Sequence, residues 1–331
     1  MTINELLNIL PSGEHVYITG HVHPDGDCLG ACLGLYQVLK NNQIDVTVIL
    51  EERPEVYNYL SGFSAIKNYI DFQQKSAEIL ASSYTLIVMD SGDLTRIEPI
   101  QNLFDHATRT INIDHHESNN RFAMFNYVDT KASSSCEMVG LLIGLKEGDK
   151  RHLTFELAEC LYTGLIYDTG VFKHSNTRYE THIIAAHLVD MGINHTWITN
   201  HCFFTRNLKA VKATSIALNK LEMYLDNKIA TTLISAVDLE EHHLVKDDTE
   251  AIVNILNEIK DTYASVFFLE LEPNNYKVSL RSNSLINVCS VAQKFGGGGH
   301  IKASGCSVKG SKAEVIENVL KELELEYRRN Y

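Results

Sequence analysis

The first half of the chain alternates short, nearly unbroken apolar runs with longer stretches of helical spacing. Residues 15–19, 46–50, 84–89 and 108–113 are β-rich runs, and 28–39 reads as a small-residue helix. Apolar strands separated by helices predict a parallel α/β sheet, and in such sheets ligands collect beyond the carboxyl ends of the strands. Chemistry-bearing residues fall at those ends: His21 after the first run, Asp90 after the third, Asp114-His115-His116 after the fourth. Residues 153–225 read as mostly helical, with Asp168 just behind the apolar stretch 157–166. The strand pattern restarts at 228–235, followed by a helix over 250–260 and paired strands over 265–271 and 277–281. A helix over 287–295 then runs into four glycines, and an amphipathic helix over 311–327 closes the chain. The expected layout is an N-terminal parallel-sheet domain over 1–190, a helical linker over 191–225, and a smaller α/β domain over 226–331.

Composition narrows the function. The 331 residues carry 29 basic and 42 acidic side chains, a formal charge of −13. A broad basic footprint for long duplex nucleic acid is missing; small anions remain possible partners where local cations or metals supply charge. Seven scattered cysteines without a CxxC pair do not form a disulfide framework. No basic-then-apolar leader opens the chain, and its longest apolar run, 138–145, is far short of the roughly 20 residues that span a bilayer. A cytoplasmic protein without a membrane partner is expected, and a homodimer is left open.

The segment His21-Val-His-Pro-Asp25-Gly-Asp27 puts two carboxylates one glycine apart on a strand-to-helix loop. Like charges that close raise a pKa or attract a cation. Taken singly, a DxD is commonly a turn or helix cap, a His-His pair a surface feature, and Asp168 a cap beside Gly170. If Asp90, His115 and Asp168 converge on the loop, four aspartates and two histidines surround one place. Two divalent cations balance that charge, with Mn²⁺ best suited to the donor set and Mg²⁺ or Co²⁺ as substitutes. In the second half, Gly296-Gly297-Gly298-Gly299-His300 lets backbone N–H groups approach an anion, although a flexible connector reads the same way. No Gly-Lys-Ser/Thr follows, so this is no ATP-binding P-loop. Arg281-Ser282, at the end of a predicted strand, is a candidate phosphate contact, and Arg121 a lesser one. Cys28, Cys32, Cys136 and Cys289 read as small packing residues.

Together, His21-x-x-Pro-Asp25-Gly-Asp27, Val88-Met-Asp90-Ser, Asp114-His115-His116 and Gly164-Leu-Ile-Tyr-Asp168-Thr-Gly resemble the four motifs of the DHH phosphoesterases. Gly296-Gly-Gly-Gly-His300-x-x-Ala-Ser-Gly305 resembles the nucleotide-binding motif of the domain that follows them, with Ser304 where the family has alanine. The length is similar to that of the family's nano-RNase and 3′-phosphoadenosine 5′-phosphate phosphatase group. RecJ-type exonucleases are longer, and family II pyrophosphatases lack the GGGGH motif. The resemblance implies an active site in the cleft between two domains. One metal would sit on His21, Asp25 and Asp90; a second would sit on Asp27, Asp90, His115 and Asp168. Asp114 would support the histidines and His116 would face the scissile phosphate, while Arg281, Ser282, Gly297, Gly298, Gly299 and His300 would hold substrate. The implied substrates are short RNA oligonucleotides, linear diadenylate included, and phosphorylated nucleotides. Rival readings are a phosphatase or pyrophosphatase for other small phosphates, and a nucleotide sensor without turnover.

Overall fold

Strand β1 (His15–Thr19) alternates its side chains between two apolar layers: Val16 and Ile18 join one buried cluster and Tyr17 the other. The same alternation recurs in β4 (Tyr84–Met89), where Ile87 and Met89 face one layer and Leu86 and Val88 the other. A sheet apolar on both faces needs cover on both, which fits parallel strands and rules out a half-exposed antiparallel sheet. The computed structural model describes residues 1–69 and 79–331. The helical stretch expected between 50 and 84 falls partly on 70–78, outside those residues.

The chain divides into two units, Met1–Thr205 and Arg206–Tyr331, with the division inside the stretch 191–225 expected as linker. In the first unit, β2 (Val46–Leu50), β3 (Lys67–Asn68), β5 (Arg109–Asp114) and β6 (Phe125–Val128) complete a sheet of order β3-β2-β1-β4-β5-β6. All its neighbours pair in parallel. The winding reverses between β1 and β4, which opens a crevice at their carboxyl ends. The helices Gly26–Asn41, Ser135–Leu142 and Phe155–Asp168 contribute to one apolar layer over this sheet.

The second unit is a mixed sheet of order β11-β12-β10-β9-β8-β7, from β7 (Glu222–Tyr224) and β8 (Ile229–Ile234) through β9 (Ala264–Glu272) and β10 (Asn275–Ser282) to β11 (Gly298–His300) and β12 (Ala303–Lys309). Only the β8–β9 pairing is parallel. The helices Val288–Gln293 and Lys312–Asn330 share a core with β9, β10 and β12; Ser311 caps the last helix, three residues before Glu314. The glycine run is therefore partly strand: 298–300 pairs antiparallel with 303–305. No described helix is long and apolar enough to cross a membrane.

Candidate active site

The loop after β1 carries the first donors. Asp25 caps the helix Gly26–Asn41, its Oδ1 accepting from the N–H groups of Asp27 (3.0 Å) and Cys28 (3.1 Å). Its Oδ2 is left 3.8 Å from His21 Nε2, so one carboxylate both caps the helix and faces the histidine. His21 Nδ1–H donates to the Val22 carbonyl at 2.8 Å, which orients the ring and turns Nε2 to Asp25 and to Asp90 Oδ2, 3.4 Å away.

Asp27 is fully buried and would be an unpaid anion without donors. The helix Ser135–Leu142 begins against it, and the N–H groups of Ser135 and Cys136 reach its two oxygens at 2.6 and 2.9 Å. The positive end of that helix adds to the effect. Ser134 caps the helix by accepting from Glu137 N–H. The buried Glu137 carboxylate in turn binds Ser133, Thr181 and Arg178, which braces the helix from behind.

Asp90 lies just past β4 with a left-handed backbone, φ +55°, a sparsely populated conformation for a non-glycine residue. Its amide donates to the Ile113 carbonyl. Its Oδ1 accepts from Ser135 Oγ (3.0 Å) and lies 3.4 Å from His115 Nε2, so Asp90 stands between the two histidines. His115 Nε2 also lies 3.1 Å from Asp168 Oδ2 and 3.8 Å from Asp27 Oδ2. Asp114 is the last residue of β5; the reading from sequence ended that strand one residue earlier. Its Oδ1 accepts from His116 Nδ1 at 2.7 Å and its Oδ2 from Asn119 Nδ2 at 2.6 Å. Asn119 is tied further to Asn112 Oδ1, and a third of the His116 side chain is exposed.

Crowding shows in the ionisation of these groups. Burial and the charges of Asp90 and Asp168 push the Asp27 carboxyl well above its ordinary range. Burial would raise Asp90 too, but His115 and His21 outweigh it and hold Asp90 well below that range. Burial opposes charge on His21, yet Cys28 and the Asp25 and Asp90 carboxylates push it up to about 12. His115 is likewise raised by Asp168 and Asp90 against burial. One aspartate is pushed toward its neutral form while the two histidines are pushed toward their charged forms. Side chains alone thus meet a deficit of positive charge with protons.

His115 Nε2 is buried and finds no hydrogen-bond partner of proper geometry, although three carboxylates surround it. Asp27, His115 and Asp168 offer ligand atoms within 4.8 Å of one another, as do Asp90, His115 and His116. An orphaned imidazole nitrogen amid oxygen donors suits a divalent cation of Mn²⁺ or Mg²⁺ type better than a hydrogen-bond network.

In the second unit, β10 turns Arg281 to its half-buried face. Arg281 Nε donates to Asn254 Oδ1 and one Nη to the Leu280 carbonyl, each at 3.0 Å. Among the described residues no carboxylate pairs with it. Ser282 lies on the buried face, and its hydroxyl contacts Ser284 within the following turn. Strand register aligns Arg281 with Ala303, and Ala303 with the backbone of His300; the His300 side chain lies outside the described part. A Cβ on Gly297 would meet the Gly305 carbonyl at 2.2 Å, whereas one on Gly298 would meet nothing within 4 Å. Close strand approach accounts for Gly297, and Gly298 leaves its face open.

Reading the sequence missed Asn119, the paired donors of Ser135 and Cys136, and Asn176, which donates to the carbonyls of Asp168 and Ser133. The Ser134-x-x-Glu137 capping signature before an apolar run went unread as well, and nothing in the sequence marks what that helix start holds.

Clustered carboxylate and imidazole donors at the strand ends of a doubly wound sheet make a candidate metal centre, and the chain belongs to the DHH family. The model described as "DHH family, N-terminal domain" matches residues 15–165, and the DHHA1 domain model matches 212–328. The chain is 31% identical over 338 residues to the "Bifunctional oligoribonuclease and PAP phosphatase NrnA" of Mycoplasma genitalium, covering 97% of this chain and 98% of that one. It is 29% identical to the protein of the same name from Thermus thermophilus, covering 93% and 90%. A crystal structure of an exopolyphosphatase-related protein from Bacteroides fragilis matches with a TM-score of 0.88 at 28% identity, over 97% of this chain and 95% of that one.

Proposed function

We propose that the chain is a two-metal phosphohydrolase that degrades very short RNA oligonucleotides, linear diadenylate included, to mononucleotides. In the same reading it dephosphorylates 3′-phosphoadenosine 5′-phosphate to AMP. The observation that carries this is the meeting of His21, Asp25, Asp27, Asp90, His115 and Asp168 from four separate segments, with His115 Nε2 buried and unpartnered among carboxylates. The relatives from M. genitalium and T. thermophilus carry both activities in their names and match nearly the whole chain.

His21, Asp25 and Asp90 would hold one ion, and Asp27, Asp90, His115 and Asp168 the other, Mn²⁺ fitting the donors best. Such a pair, when bound, supplies charge against the phosphoryl oxygens and makes water ionisable near neutral pH. The chain's own contribution is positional. Asp90 serves both histidines from a fixed backbone, and the first turn of Ser135–Leu142 holds Asp27 still. His116, oriented by Asp114 and through it by Asn119, is the group to protonate the departing ribose oxygen. Arg281, with Ser282 shaping the adjacent turn and the segment 297–300 one strand further across the sheet, recognises a further phosphate of the substrate.

Metal analysis together with a hydrolysis screen tests the reading. Diadenylate and 3′-phosphoadenosine 5′-phosphate should be cut in the presence of Mn²⁺ and not after chelation. Preferred hydrolysis of pyrophosphate, or nucleotide binding without turnover, would refute it.

A further inference from the structure

We propose that Cys28 is an additional donor at the His21 metal position, a sulfur that engages soft divalent cations and makes the centre discriminate between soft and hard metals. The inference rests on the two-metal reading above. Cys28 lies in the first turn of Gly26–Asn41, where its amide is fixed by Asp25 Oδ1. A Cβ on Gly20 would stand 2.2 Å from Cys28 Sγ, so the sulfur lies against the backbone immediately before His21. Only a residue without a side chain leaves it that place. A ring nitrogen of His21, the Cys28 sulfur and an oxygen of Asp90 lie within 4.8 Å of one another, and all three residues are buried. Zinc binds nitrogen at about 2.0–2.1 Å and sulfur at about 2.3 Å, so small side-chain rotations bring the three donors onto one ion.

The chain has seven free cysteines, and among the described residues Cys28 is the one that joins such a group. Cys32, one helical turn further on, fills the same apolar layer and joins no such group. Hard ions such as Mn²⁺ and Mg²⁺ take the oxygens and imidazoles and gain little from sulfur. Zn²⁺, Cd²⁺ and Co²⁺ gain a ligand, and the thiol gives its proton to solvent as they bind.

The test loads the full chain with Co²⁺ and reads its absorption spectrum. A sulfur-to-cobalt charge-transfer band is expected in the wild type and lost in Cys28→Ser and Cys28→Ala, whose folding is checked by circular dichroism. Cys136→Ala, which removes another buried sulfur near Asp27, should keep the band. Calorimetry should show Cd²⁺ affinity falling at least about tenfold in Cys28→Ala, the lower end of what losing even an outer-sphere partner costs, with Mn²⁺ affinity unchanged. X-ray absorption of the zinc-loaded wild type needs no variant: a sulfur neighbour at about 2.3 Å supports the assignment, and a purely nitrogen and oxygen shell overturns it. Visible ligand-field bands without charge transfer would remove Cys28 alone. Failure to bind cobalt at all would remove the metal centre with it.

Discussion

Gly164 offers a sharp test of how the two long helices set the site. It lies in Phe155–Asp168 against Gly26–Asn41, and a Cβ there would stand 2.3 Å from Cys136 Sγ, 2.6 Å from Asp27 Oδ1 and 2.8 Å from Asp27 Cα. Ordinary contact begins at 3.4 Å, and the N–H groups of Ser135 and Cys136 tie both Asp27 oxygens in place, so a retreat would break those hydrogen bonds. Gly164→Ala must therefore open the helix pair by about 1 Å, and a misplacement of that size costs on the order of 10²-fold in rate. Overpacking of this kind costs about 1–3 kcal/mol, which in a domain of this size lowers Tm by roughly 2–12 °C. The assays are Mn²⁺-dependent hydrolysis of diadenylate and of bis-p-nitrophenyl phosphate, with a melting curve beside them. Adding Cys136→Ala removes the sulfur clash and keeps the Asp27 clash, so the double variant should regain part of its Tm and little activity. Wild-type turnover by Gly164→Ala, or full recovery in the double variant, would refute the claim that this contact fixes Asp27.

Asp90→Ala should lose activity more completely than His116→Ala, because Asp90 stands between both histidines; loss of a general acid alone costs about 10²–10⁴-fold, and single-turnover rates compare the two. Mn²⁺ at a hundred times its Kd should stabilise the native chain by about 2.7 kcal/mol, a rise in Tm that chelator abolishes and Asp90→Ala greatly reduces. Arg281→Ala should weaken diadenylate hydrolysis by about 1.5–3 kcal/mol per lost charge-assisted contact, mainly through KM, while the generic diester is cut at nearly the parental rate. Oligomers of two to four nucleotides should be cut far faster than a 20-mer, since a chain of −13 offers no basic track for a long backbone; equal rates in a length series would contradict this.

Much of the site could be read from the sequence because its donors sit where strands end, and strand ends are marked by apolar runs giving way to His21, Asp90 and Asp114. The helix start at Ser311 was equally legible from its cap, whereas the capped start after Asp25 was placed two residues late and those at Thr2 and Ser134 went unread. Elements without such a signal were missed. Strand β3 is two residues long and β6 is half exposed, so neither makes an apolar run. Strand β11 begins on glycines, which carry no alternation to read. The donors to Asp27 are main-chain N–H groups more than a hundred residues away, and every non-proline residue has one. Asn119 was passed over for a different reason: its amide acts only through Asp114, so nothing in its own neighbourhood marks it.

The hydrogen bonds that Asp27 accepts from Ser135 and Cys136 span 108 and 109 residues of sequence. Asp168 must arrive later still. On a ribosome, the segment from His21 to Asp27 is finished long before any of these partners exists. At about 5–20 residues per second, roughly 7–28 s separate the synthesis of Asp27 from that of Asp168. Throughout that interval the nascent chain can display its first motif but cannot assemble the pocket, because the far walls have not been made. Closing loops this long also makes the pocket one of the later features to form once the chain is complete. A site built this way is silent at least until Asp168 has been made.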